Sequence, residues 1–81
     1  MTFKEEIIEK LKDYCEELLG VKRNEMSPET RFAEDLECKS IHLAQISTKL
    51  EDDYDVEVPY ADMTKCSTFA DLADFMDKVL S

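Results

Sequence analysis

Apolar residues recur at spacings of three and four in three separate stretches of this chain, and that spacing restricts its fold more than any other feature. On an α-helix it gathers side chains onto one face, whereas a strand needs alternation by two. The first stretch holds Phe3, Ile7, Ile8, Leu11, Cys15, Leu18 and Leu19. Thr2 and Glu5 have the spacing of a capping box, and Gly20 stands where such a helix ends. Cys15 is therefore expected to be a small core residue. The other face, with Lys4, Glu5, Glu6, Glu9, Lys10, Lys12, Glu16 and Glu17, reads as solvated.

The second stretch runs from Ser40 to about Asp53. At about 100° per residue, Leu43, Ile46, Ser47, Leu50 and Tyr54 fall within an arc of roughly 100°, the width of a core-facing stripe. Ile41 lies about 160° from Leu43, on the side of Gln45, Thr48 and Asp52, so it is expected to face solvent. The third stretch starts at the capping pair Thr68 and Asp71, with Phe69, Leu72, Ala73, Met76, Val79 and Leu80 as its apolar stripe. Between the first two stretches, from Val21 to Lys39, the period disappears and Ser27-Pro28 interrupts the backbone. A loop of this length needs pinning, and Val21, Met26, Phe32 and Leu36 are spaced to provide it. A short helical turn from Tyr60 to Lys65 is expected after Pro59. The predicted fold is all-α: a long helix, a long loop, a helix, a short helix and a helix, forming one domain over residues 1–81.

Charge and cysteine usage narrow the partners. Twenty carboxylates against ten Lys and Arg leave a formal charge of −10, which opposes a nucleic-acid groove or an anionic membrane surface. Apolar residues at 43% with one Gly describe a folded helical chain rather than an acidic disordered tail. Cys15, Cys38 and Cys66 are an odd set without CxxC spacing, and no basic-then-apolar leader precedes the first helix, so a reduced, cytoplasmic protein without structural zinc is expected. No apolar run approaches the roughly 18 residues that would span a bilayer, so no membrane insertion is expected. The acidic segment from Glu51 to Glu57 suggests a calcium loop. Counted from Asp53, however, Val58 and Thr64 stand where an EF-hand needs Gly and a bidentate Glu.

The one histidine, His42, is two residues from Ser40. Helix neighbours two apart diverge by about 200°, so His42 cannot activate Ser40 within the same element, and no metal-ligand spacing exists. No self-contained catalysis is expected. What remains is a serine at a helix start, by residue type an N-cap, with an exposed Ile behind it and an acidic turn downstream.

The segment from Phe32 to Pro59, FAEDLECKSIHLAQISTKLEDDYDVEVP, resembles the acyl carrier protein family, the phosphopantetheine-binding carrier domains. Asp35-Leu36 matches the family's Asp-Leu pair, Ser40-Ile41 its Ser-Leu, Tyr54 its aromatic and Val58-Pro59 its apolar-Pro pair. The similarity covers nearly the whole chain, including the first helix, the short third helix and Ser67-Thr68-Phe69. It implies a four-helix carrier bundle and a 4′-phosphopantetheine arm, placed on Ser40 by a phosphopantetheinyl transferase, that holds acyl groups as thioesters. It further implies partners of fatty-acid, polyketide, nonribosomal-peptide or other specialised synthesis: acyl-transfer, ligase or synthase enzymes with basic docking patches. The carrier itself is expected to be a monomer and not an enzyme. An unmodified, carrier-like protein-binding or regulatory module is the alternative.

The sequence departs from the family pattern in three places. Lys39 stands where an Asp is usual, Glu37 stands where a Gly is usual, and no carboxylate occurs from Lys39 to Leu50. Acidity is concentrated instead in Glu51, Asp52, Asp53, Asp55, Glu57 and Asp62, as in a specialised carrier. Ile41, Glu51, Asp52 and Asp53 are the expected docking residues, Ile41 filling an apolar pocket while the acids pair at its rim. Some family members tuck the acyl chain between helices. Here the walls would be Phe32, Leu43, Ile46, Ser47, Leu50, Tyr54, Val58, Phe69, Leu72 and Met76. Ser47 is expected either to bond back to the Leu43 carbonyl or to make that space more polar. Cys38 is expected to be an exposed spectator thiol.

Overall fold

A computed structural model describes residues 1–81. Helix α1 spans Phe3–Leu19, α2 Ser40–Tyr54, α3 Tyr60–Met63 and α4 Phe69–Leu80, with a single 3-10 turn at Arg23–Glu25 inside the long loop. The all-α prediction and the order of elements hold. Periodicity could not show the 3-10 turn, because three residues are too few to repeat a spacing. It is tied to α1 by the Arg23 guanidinium, which donates to the Glu9 backbone carbonyl and to the carboxylates of Glu9 and Asp13.

Both predicted capping boxes form. Thr2 accepts from the Glu5 N–H while the Glu5 carboxylate accepts from the Thr2 N–H, and Thr68 and Asp71 repeat the exchange at α4. Gly20 closes α1 in the left-handed region at φ 74°, where its N–H reaches the Glu16 carbonyl at 3.0 Å.

Fifteen apolar side chains make one buried cluster, drawn from α1, α2, α3, α4 and the loops between them. Cys15 lies fully inside it, as expected. The sequence reading missed Tyr14, which is buried although its hydroxyl donates to Asp53, because a phenol has an apolar body and a polar tip. It also placed Val79 and Leu80 on the apolar stripe of α4. They are 41% and 39% exposed, since the last turn of that helix runs past Met76, its final buried residue.

Main-chain bonds stitch the long loop to the start of α4. Phe32 N–H donates to Ser67 O, Phe69 N–H to Thr30 O and Ala70 N–H to Pro28 O, at 2.9 to 3.1 Å, around an isolated antiparallel bridge between Arg31 and Thr68. Of the four expected pins, Met26 and Phe32 are buried, while Val21 and Leu36 pack half-buried against the cluster. Glu37, standing where a Gly is usual, leads one to expect a turn whose backbone a residue with a Cβ tolerates; the structure corrects this, because Glu37 keeps a left-handed conformation with φ 53°. A Cβ is unfavourable there, so Glu37→Gly should raise unfolding stability by about 1 kcal/mol in denaturant titrations. A lower midpoint at unchanged slope would show that the Glu37 side chain contributes more than its backbone strain costs.

Candidate functional site

Ser40 is the first helical residue of α2, and the N-cap is Lys39, with extended backbone angles of φ −99° and ψ 172°. The expectation that Ser40 caps the helix is thereby corrected. The chain enters the helix one residue earlier, and Ser40 is freed from the capping bond. Its hydroxyl is exposed and makes no hydrogen bond within the protein. The N–H groups of Ser40 and Ile41 also lack acceptors, as the first donors of a helix do. Lys39 is exposed and without an ion pair. A nucleophile-sized oxygen, two open donors and a cation thus lie together at the positive end of a helix dipole, a setting that suits a phosphate attached to that oxygen.

The residues before Ser40 hold the loop rather than touch the hydroxyl. The Asp35 carboxylate accepts the Arg31 N–H at 2.8 Å and its guanidinium at 3.0 Å. Those bonds from Arg31 hold the carboxyl of Asp35 below the usual carboxylate range. Leu36 packs against the core, and the Cys38 N–H returns to the Phe32 carbonyl at 2.9 Å. The expectation of an exposed Cys38 is corrected too. The side chain is half-buried against the core, and burial raises its thiol pKa, which lowers its thiolate fraction at neutral pH. Burial pushes Cys15 up to about 12 and Cys66 up to about 11.

Behind Ser40, Ile41 is 61% exposed, as its helical angle requires. With Ala44, Gln45, Thr48, Lys49 and Asp52 of α2, and Leu18 of α1, it lines an open groove of about 540 Å³. Leu18 had read as a core residue. Its position in the last turn of α1, beyond the tightest packing, is the only sequence signal for its second role.

The structure gives the three predicted docking acids different settings. Asp52 is exposed and unbonded on the groove. Glu51 accepts the Val58 N–H at 2.8 Å and so fixes the loop after α2. Asp53 accepts from the Tyr14 hydroxyl and lies 3.5 Å from Lys10, and the Tyr14 bond holds its carboxyl below the usual range. Pairings between helix faces escape a one-dimensional reading, because Tyr14 and Asp53 are 39 positions apart.

All ten residues predicted to wall an acyl space belong to one region. Phe32, Ile46, Ser47, Leu50, Val58, Phe69, Leu72 and Met76 are buried, and Leu43 and Tyr54 half-buried. They are packed together; Phe32 and Phe69, for example, have ring centroids 5.1 Å apart. The five depressions of the molecule all lie on its surface and are lined by other residues. The Ser47 hydroxyl donates to the Val58 carbonyl across the α2–α3 connection rather than back to Leu43. A long-range acceptor explains its burial, so the stripe keeps its serine without an unpaired group.

A family model described as the phosphopantetheine attachment site matches residues 9–76. The meromycolate extension acyl carrier protein of Mycolicibacterium smegmatis is 33% identical over 75 residues, 93% of this chain and 76% of that protein. The acyl carrier protein of Rubrobacter xylanophilus is 33% identical over 73 residues, 90% of each chain. The acyl carrier protein of Thermotoga maritima is 32% identical over 80 residues, 99% of each chain.

Proposed function

This chain belongs to the acyl carrier protein family, and on that premise we propose that Ser40 is the residue on which its 4′-phosphopantetheine arm is built. Members of the family are carriers and not enzymes. The chemistry resides in the acyl-transfer and synthase enzymes that visit them. In the loading step the Ser40 hydroxyl oxygen attacks the pyrophosphate of coenzyme A at the phosphorus nearer pantetheine. A phosphodiester forms, adenosine 3′,5′-bisphosphate leaves, and the hydroxyl proton passes to a base of the phosphopantetheinyl transferase. The observation that carries the assignment is the unbonded, exposed Ser40 hydroxyl at the first helical position, beside two open N–H donors. Lys39 adds a cation that suits the attached phosphodiester. Incubation with coenzyme A and a broad-specificity transferase, followed by peptide mass spectrometry, should find one pantetheine adduct, on Ser40. Persistent absence would favour an unmodified protein-binding module.

On the same reading residues 1–81 form one carrier domain that works as a monomer in the cytoplasm. Its partners would present an apolar pocket for Ile41 and a basic rim for Asp52. Glu51 and Asp53 would add field at that end of α2 while remaining bonded to their own chain. The carboxylate-free run from Lys39 to Leu50 favours a partner set narrower than that of a general fatty-acid carrier. Asp52→Lys should lower a partner's kcat/KM about threefold to tenfold at low salt and flatten its salt dependence. Ile41→Ala should raise KM by about tenfold. A transferase or synthase indifferent to both would remove this surface from docking.

A further inference from the structure

Helix α2 begins without the usual side-chain cap. Lys39 occupies the N-cap position, and an ammonium group has donors only, so it cannot accept from the helix. The single side-chain bond at this end runs the other way: the Lys39 N–H donates to Nδ1 of His42 at 3.0 Å. His42 is the third residue of the helix, where the acid of a capping box would reach back to the same amide. An imidazole can do this only when Nδ1 carries a lone pair, which fixes the neutral tautomer with its proton on Nε2. A protonated ring has donors at both nitrogens and must release the amide.

We propose that His42 is a positioning residue for the Ser40 site: its neutral ring caps the helix that presents the hydroxyl, and its protonation uncaps the residue immediately before it. The loading consequence rests on the assignment of Ser40 as the attachment residue; the cap itself does not. Released, Lys39 loses the bond that anchors its extended backbone, and the first turn of α2 frays, as helix ends do when orphan donors lose partners. Fewer molecules then hold the Ser40 hydroxyl in position for a transferase, and loading slows by the fraction lost. The loss of one cap corresponds to about a fivefold change in the ratio of ordered to frayed first turns, so that fivefold is the ceiling on the loss of loading rate.

The surrounding charges leave this bond to His42. Pairings of Glu6 with Tyr54, Tyr14 with Asp53 and Glu17 with Lys49 show that α1 and α2 run antiparallel, so the acid that α1 brings nearest the Ser40 end is Glu17, already engaged by Lys49. Glu37 and Cys38 belong to the preceding loop, and Tyr60 and Asp62 to α3, which packs on α2. None of these side chains, nor the Lys39 ammonium, forms an ion pair or hydrogen bond with the imidazole, whose partner is the Lys39 backbone amide.

Two measurements on the full chain test the proposal. In the unmodified protein, NMR titration between about pH 8 and pH 5 should show the Lys39 amide moving with the midpoint of the His42 ring carbons and losing exchange protection. In His42→Glu, where a carboxylate keeps the acceptor, the Lys39 amide should stay protected over that range. A Lys39 amide that ignores the ring titration overturns the proposal. In the second measurement, the loading rate of the wild type is divided by that of His42→Glu at each pH, which cancels the transferase's own response. That ratio should fall as the His42 ring protonates, by at most about fivefold between pH 8 and pH 5, while the ratio of His42→Ala to His42→Glu should stay low and flat. A constant wild-type ratio overturns the positioning role. Failure of the wild type to load at any pH would overturn the assignment of Ser40, and the amide titration would still decide the cap.

Discussion

Ser40→Ala is expected to abolish pantetheine loading outright while leaving the protein folded. The hydroxyl forms no bond inside the chain and the N-cap is Lys39, so its removal breaks no cap and opens no cavity. A surface change of this kind shifts stability by within about 0.5 kcal/mol, less than the roughly 1 kcal/mol of a true capping serine. Intact-mass spectrometry reads the first effect and a circular-dichroism melt the second. Any adduct on the variant would move the attachment site elsewhere. A melt lowered by as much as a lost cap would mean that the hydroxyl is a structural group after all.

Phe69→Ala is expected to cost about 3–5 kcal/mol, a large share of the roughly 5–15 kcal/mol that holds a small domain together. Phe69 is fully buried, packs its ring at a tilt against Phe32 and gives its N–H to the Thr30 carbonyl. It is therefore the point where α4 grips the loop that leads into Ser40. Urea unfolding should show the loss, with a rise in exchange of the Phe32 and Cys38 amides relative to those of α1. Val79→Ala, on the same helix but exposed, should lie within about 0.5 kcal/mol of the wild type. Equal losses in the two variants would deny Phe69 this special place.

The contrast between Phe69 and Val79 shows where sequence stops being informative. Both sit on one apolar stripe, and helical spacing treats them alike. Burial depends on whether another element lies over that turn of the helix, which no local pattern records. Tyr14 is the opposite case. It stands in neither the apolar stripe nor the solvated face of the first helix, and the arrival of Asp53 from α2 gives its hydroxyl an acceptor as the ring is buried. Ser47 is the same case, with its acceptor at Val58 rather than one turn back.

For the candidate site, helical angle placed Ile41 on the outside and the sequence located the acidic end of α2, while the resemblance to the carrier family is what pointed to Ser40. Sequence also determined the helical class, the order of the elements and both capping boxes, all set by interactions between residues three or four apart. Only the tertiary structure decided which acids are free: Asp52 is, whereas Glu51 and Asp53 are bonded within the chain. It decided too that Lys39 rather than Ser40 occupies the N-cap position, with the imidazole of His42 accepting a hydrogen bond from its amide. The reason is physical. A helix start depends on where the incoming loop turns, and this loop is aimed by its bonds to α4, which is distant in sequence and close in space.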